Sequence, residues 1–201
     1  MKGYTVKQIQ YKDTKDLILN VHYAKRMPSI SYAYGLFEDG EMVGLVSYGS
    51  PASPFLCKGI MGEEHKSKVI ELNRLVLYNN KKNEASYLVS NSLKLLPKPK
   101  CVVSYADTKE GHTGYIYQAC NFMFTGTSKP RTDMAAKNGA HSRHHSGDRT
   151  KRVDRSAKHR YIIFTGNKKE KKFMQSILKY TIQDYPKKCI KEKINDKRRI
   201  L

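Results

Sequence analysis

YGLFEDGEMVGLVSYG, residues 34–49, sets two apolar runs on either side of Asp39-Gly40. An Asp-Gly pair supplies two residues tolerant of positive φ, as a tight two-residue turn requires, so the stretch predicts an antiparallel hairpin. Downstream, a loop carrying glycine and charge leads into KVIELNRLVLY (68–78), which reads as a central strand. NEASYLVSNSLKLL (83–96) then places Ala85, Leu88, Val89, Ser92 and Leu95 or Leu96 at helical spacing, and Pro97 and Pro99 end it. CVVSYAD (101–107) reads as a short buried strand, Lys109 to Ala119 as a helix, and NFMFTGT (121–127) as a strand again. Upstream, residues 14–25 predict a short helix with Leu17, Ile18 and Val21 on one side, stopped by Pro28. Such alternation predicts an α/β fold, a mixed central sheet flanked by helices with binding groups at the strand ends.

The chain has 201 residues, with 38 Lys and Arg against 18 Asp and Glu, a formal charge of +20. That field attracts polyanions: DNA, RNA or an anionic membrane surface. No apolar run approaches the length of a membrane span and the N-terminus shows no hydrophobic signal segment, so neither spanning nor classical secretion is expected. Four scattered cysteines without a CxxC pair fit a reducing compartment.

The charge concentrates between Thr127 and Arg160, a segment with almost no aliphatic residue. It cannot offset its ordering cost by burying apolar area, which predicts a long basic insertion joining two paired strands, because YIIFTG (161–166) resumes a strand. Arg143, His144, His145, Arg149, Lys151, Arg152 and Arg155 are its candidate phosphate contacts. Residues 1–167 are expected to form the catalytic domain, with 127–160 as its DNA-contacting loop. Residues 168–201 are expected to be a basic helical extension with an amphipathic stretch from Phe173 to Tyr180.

Several side chains carry chemistry. Asp107 and Thr108 are placed to cap the expected helix, and Asp107 also suits proton handling. His112 shares a helical face with Tyr115, Ile116 and Ala119, which would turn it inward, whereas Tyr117 points elsewhere. Ser104 and Tyr105 alternate across their strand; without a GxSxG elbow they do not suggest a hydrolase. On the central strand Glu71 and Asn73 face one way and Leu72 and Arg74 the other, and both charges need partners or solvent. Arg74 can pair structurally or grip an anion. Lys81, Lys82 and Asn83 surround a helix N-terminus, a setting for an anion, but no glycine-rich phosphate cradle is present. His22 sits near a helix C-terminus, where its charged form is favoured; alternatively His22 and Tyr23 reach the cleft of Asp107. No compact His/Cys spacing declares a metal.

HYAKR (22–26), residues 34–49, ELNRLVL (71–77), SYAD (104–107) and GHTGYIYQACNF (111–122) together resemble, in order, the phage Mom family of DNA adenine modification proteins. The resemblance spans roughly His22 to Gly126. It implies a Gcn5-related N-acetyltransferase-like fold and transfer of a carbamoylmethyl-type group to the N6 amine of adenine in double-stranded DNA. Phage DNA in an infected bacterial cytoplasm would thereby be protected from host restriction. It further implies an iron-type divalent metal at His22 and Tyr23, and cleft residues Asp107, Tyr105, Tyr115, Tyr117 and Ser104. Glu71 and Arg74 match the strand signature. The donor is undefined, and YNNKKNEAS (78–86) lacks the glycine-rich loop that acetyl-coenzyme A would call for. The competing readings are an N-acyltransferase acting on a protein or small-molecule amine, and a non-enzymatic phage DNA-binding protein.

Overall fold

A computed structural model describes residues 2–134 and 152–186 of the chain. The strands are β1 (Tyr4–Gln8), β2 (Tyr32–Glu38), β3 (Glu41–Gly49), β4 (Val69–Leu77), β5 (Lys100–Asp107), β6 (Met123–Thr127), β7 (Arg131–Met134), β8 (Arg152–Arg155) and β9 (Lys158–Thr165). The helices are α1 (Pro54–His65), α2 (Glu84–Leu95), α3 (Tyr115–Ala119) and α4 (Lys168–Ser176). Seven strands form one sheet in the order β1-β2-β3-β4-β5-β9-β6, and β7 pairs with β8 in a separate two-stranded ribbon. This is the expected mixed α/β sheet flanked by helices.

The β2–β3 hairpin turns at Asp39 and Gly40, both at positive φ, as their residue types allow. Within the large sheet β4 and β5 are parallel, whereas the other pairings are antiparallel. Their ladder covers Val69–Glu71 against Cys101–Val103 and stops there. The sheet therefore forks at its centre.

Apolar side chains seal both faces. Beneath α2, Leu88, Val89 and Leu93 pack with Ile70, Leu72, Val102, Tyr48 and Phe122. The Tyr48 hydroxyl would be costly unpaired at that depth, and it bonds Ser92 Oγ at 2.7 Å. On the other face α1 and α4 supply Ile60, Met61 and Met174 to a cluster with Val69, Cys101, Val103 and Ile162. Beyond α4 the chain stays attached, since the Gln183 amide donates to the Phe124 carbonyl.

Four local readings need correction. The helix expected over residues 14–25 is shorter and wider than foreseen, entered from a 3-10 turn (Tyr11–Thr14), π-type at Leu17–Val21 and finished there. The expected loop before β4 contains α1, started by Ser53 and Pro54. The helix foreseen from Lys109 begins only at Tyr115, because Gly111 and Gly114 hold left-handed φ and divide the segment. The ends of the basic segment are not plain loop but β7, β8 and the first three residues of β9, and the segment does connect the paired strands β6 and β9.

Candidate active site

The fork between β4 and β5 is the site's foundation. One step past the last ladder pair, Ser104 Oγ donates to the Leu72 carbonyl at 2.9 Å and also bonds Tyr117, which reaches in from α3. Burial pushes the Tyr117 phenol up to about 12, so it stays a neutral hydrogen-bonding group.

A β-bulge on β4 then changes which residues meet. Tyr48 pairs with Leu72 but Ser47 pairs with Arg74, leaving Asn73 as an extra residue. Regular alternation would place Glu71 and Arg74 on opposite faces. With the bulge they fall on one face, within electrostatic reach of each other. Asn73 is held from both sides: its Nδ2 donates to the Ser29 carbonyl and its Oδ1 accepts from Ser47 Oγ, each at 2.7 Å.

Arg74 spends its guanidinium on the backbone. Nε and Nη2 donate to the Arg26 carbonyl at 3.3 and 2.8 Å, and Nη1 to the Asn73 carbonyl at 2.6 Å. This fork geometry pins the loop that carries His22 and Tyr23 over β4. His22 is 9% exposed, accepts the Ala24 amide at Nδ1 (3.0 Å) and stacks on Tyr23 with ring centroids 4.4 Å apart. Burial, then the positive charge of Arg74 and the nearby His112, hold its pKa down to about 4. The ring is therefore neutral at physiological pH, contrary to the charged helix-end reading. Tyr23 meets His112 edge-on at 6.2 Å and lies within the fields of Asp107 and Arg74.

His112 itself is exposed, in the loop before α3, not turned inward. Tyr115 is 63% exposed on the outer side of α3. The start of α3 is fixed by Gly114: a Cβ there would stand 2.3 Å from the Tyr161 ring, whose hydroxyl donates to the Thr113 carbonyl.

Glu71 is the least solvated acid of the cleft. Burial pushes its carboxyl up to about 6, against the opposing pull of Lys158, Arg74 and a hydrogen bond from the Ala52 amide. Tyr105 and Cys57 lie close enough to feel its charge. Asp107 has the opposite character. Burial pushes its carboxyl up, but the Ser156 hydroxyl, the Lys158 ammonium at 3.0 Å and the Lys109 amide together hold it below the usual carboxylate range. It caps no helix, since α3 starts at Tyr115. Lys158 joins the two acids, bonded to Asp107 and within reach of Glu71.

The structure thus brings together His22, Tyr23, Glu71, Arg74, Tyr105 and Asp107, whereas Ser104 and Tyr117 pack on the α2 side of the sheet, Tyr117 still within the fields of Tyr23 and Glu71. Lys81, Lys82 and Asn83 lie elsewhere, past Leu77 at the far end of β4, about 20 Å of strand from Glu71. Lys158, Ser156 and Ala52 carry no sequence signal of a role here; the β5–β9 register sets Lys158 beside Asp107, and Ser156 follows from the short link between β8 and β9, both distant in sequence. Arg152 and Arg155 stand on β8, Arg155 within 3.3 Å of Asp133. Arg143, His144, His145, Arg149 and Lys151 lie outside the described residues.

The sequence profile of the Mom protein family matches residues 3–187. The chain belongs to the Mom protein family. Methylcarbamoylase mom of Escherichia phage Mu is 27% identical to this Mom-family chain over 210 residues, covering 92% of the chain and 86% of the phage Mu protein. A probable acetyltransferase from Staphylococcus epidermidis ATCC 12228 superposes with a TM-score of 0.50 at 10% identity, over 81% of this chain and 99% of that one. Arabidopsis thaliana Naa50, solved with a bisubstrate analogue, superposes with a TM-score of 0.50 at 11% identity, over 80% and 98%. At such identities the likeness is one of fold: the Mom chain has the GNAT-like architecture with an added insertion. No helix among its described residues is long and apolar enough to cross a membrane.

Two groups that the family and fold imply meet a poor fit. For a metal, His22 and Tyr23 offer two donors beside the Arg74 cation, and no group of three His, Cys, Asp or Glu side chains converges among the described residues. For coenzyme A, the start of α2 is already filled by the protein's own acids. Glu84, 1% exposed, accepts the Lys81 amide at 2.7 Å and the Tyr4 hydroxyl at 3.0 Å, and the Lys81 ammonium is paired with Glu38. A pyrophosphate would meet two carboxylates there.

Proposed function

We propose that the chain is a DNA-modifying transferase that places a carbamoylmethyl-type group on the N6 amine of adenine in double-stranded DNA. The observation that carries this reading is Glu71: a half-buried carboxylate at the fork of a transferase-type sheet in a Mom-family chain, its pKa raised to about 6 by desolvation. The name of the phage Mu relative, a methylcarbamoylase, supports the group, and the +20 charge supports the polyanionic substrate.

Adenine N6 is a weak nucleophile because its lone pair is delocalised into the ring. The site must orient the amine, take its proton and hold charge on the donor. Glu71 accepts the proton as the N6–carbon bond forms, and the bond from that carbon to the donor's leaving group breaks with its electron pair. A base with a pKa near 6 is largely ionised at pH 7 yet still able to accept a proton. Tyr105, held neutral on the face of Glu71, hydrogen-bonds or stacks against the base, and Tyr117, also neutral, lines the fork from the α2 side. His22 and Tyr23 form the opposite wall, fixed by Arg74. Asp107 positions: through Ser156 and Lys158 it ties the cleft to the root of the β7–β8 ribbon, whose Arg131 and Arg152, with the basic segment beyond, contact phosphates.

The test is co-expression with plasmid DNA followed by nucleoside mass spectrometry. A modified deoxyadenosine is expected; transfer to free amines without DNA, and none to DNA, would favour the small-molecule acyltransferase reading.

A further inference from the structure

The most exposed large apolar side chain among the described residues is Phe55, 82% exposed at the second position of α1. Single exposed hydrophobic residues are ordinary on protein surfaces; the position of this one is not. It lies three residues after Ala52, whose amide binds the Glu71 carboxylate, so at most about 11 Å of chain separates the ring's backbone from that contact. Two residues further on, Cys57 turns inward into the core and feels the Glu71 charge. Leu56 also packs inward, which fixes the helix face and leaves Phe55 pointing away from the core. Pro51 and Pro54 restrict the backbone of this rim. A large ring is thus held on a stiff support beside the acid of the cleft, and no described apolar cluster includes it.

An adenine amine in a duplex is paired and stacked, so chemistry at N6 requires the nucleotide to leave the stack. Proteins that open or kink duplexes insert apolar side chains, phenylalanine among them, between base steps. We propose that Phe55 is such a wedge, entering the base stack of double-stranded DNA where the target adenine departs for the fork. The proposal rests on the DNA-modification reading. It names the element that opens the duplex and makes Phe55 a positioning residue, not a catalytic one.

Permanganate oxidises thymines that have lost their partner, so it reports extruded adenines without knowledge of sequence context or donor. The full-length wild type and Phe55→Ala are bound to long duplex DNA, with binding measured in parallel. The wild type is expected to raise thymine reactivity. Phe55→Ala should bind within about twofold and lose at least about fivefold of that reactivity, with Phe55→Trp restoring it. Equal reactivity in Phe55→Ala and wild type overturns the wedge and leaves the DNA reading intact. Parallel loss of binding and reactivity also overturns it, making Phe55 a docking contact. Failure of the wild type to bind DNA at all overturns the functional reading beneath it.

Discussion

The Lys158 ammonium lies 3.0 Å from Asp107 and within the field of Glu71, so one lysine links two half-buried acids, one well hydrogen-bonded and the other poorly solvated. The two carboxylates are thereby driven apart, Asp107 below its ordinary range and Glu71 up to about 6. Pairs of acids separated by environment divide their roles, the weaker acid exchanging protons and the stronger one staying ionised.

Glu71→Gln is expected to abolish adenine modification while retaining DNA binding, and the wild-type rate should rise with pH through about 6. The same change should stabilise the protein at high pH. A carboxyl whose folded pKa is raised favours folding below its unfolded pKa, near 4.5, and loses that contribution as pH rises through 6. The ionised acid therefore costs about 2 kcal/mol at pH 8, a cost Gln does not carry. Thermal melts should show Glu71→Gln above the wild type at pH 8 and level with it near pH 4. No gain at pH 8 would mean the carboxylate is already well solvated.

Asp107→Asn removes the charge that holds Lys158 and weakens the bond to Ser156. Because the folded pKa of Asp107 is depressed, its contribution is present above the unfolded value and lost as pH falls through the folded one. The variant should be less stable at pH 7 by about 1 kcal/mol, and the difference should vanish in acid. Its DNA concentration for half-maximal modification should rise more than its maximal extent falls. The reverse pattern would make Asp107 the proton acceptor.

Arg74→Lys cannot reproduce the fork that holds the Arg26 carbonyl. The loop bearing His22 and Tyr23 should loosen, seen as faster tryptic cleavage at Lys25 and Arg26 and about tenfold less modification. Unchanged cleavage would show that Asn73 alone fixes the loop.

Gly114→Ala combines a strained φ of +81° with a Cβ 2.3 Å from Tyr161. A loss of about 2 kcal/mol or more is expected in denaturant unfolding. A neutral result would mean that the start of α3 moves freely.

Much of the fold was legible because it is written in local pattern. The Asp39-Gly40 turn, the helical spacing of Leu88, Val89 and Ser92, and the strands around Val102 and Val76 all carry their signals within a few residues. The site was legible as a set of residues but not as an arrangement. Nothing in ELNRLVL announces the extra residue at Asn73, since a bulge arises from pairing with β3; yet it moves Arg74 to the face of Glu71. The same holds for Asp107, whose partners Ser156 and Lys158 arrive from the β8–β9 link and the start of β9, about fifty positions away. His112 faces solvent because the positive φ of Gly111 and Gly114 breaks the helix that the residue spacing predicts.

The most direct test of the central claim is nucleoside mass spectrometry on DNA co-expressed with the wild type and with Glu71→Gln, both confirmed soluble and DNA-binding. The account predicts a modified deoxyadenosine with the wild type and unmodified deoxyadenosine alone with Glu71→Gln. Equal modification by the two proteins would contradict it.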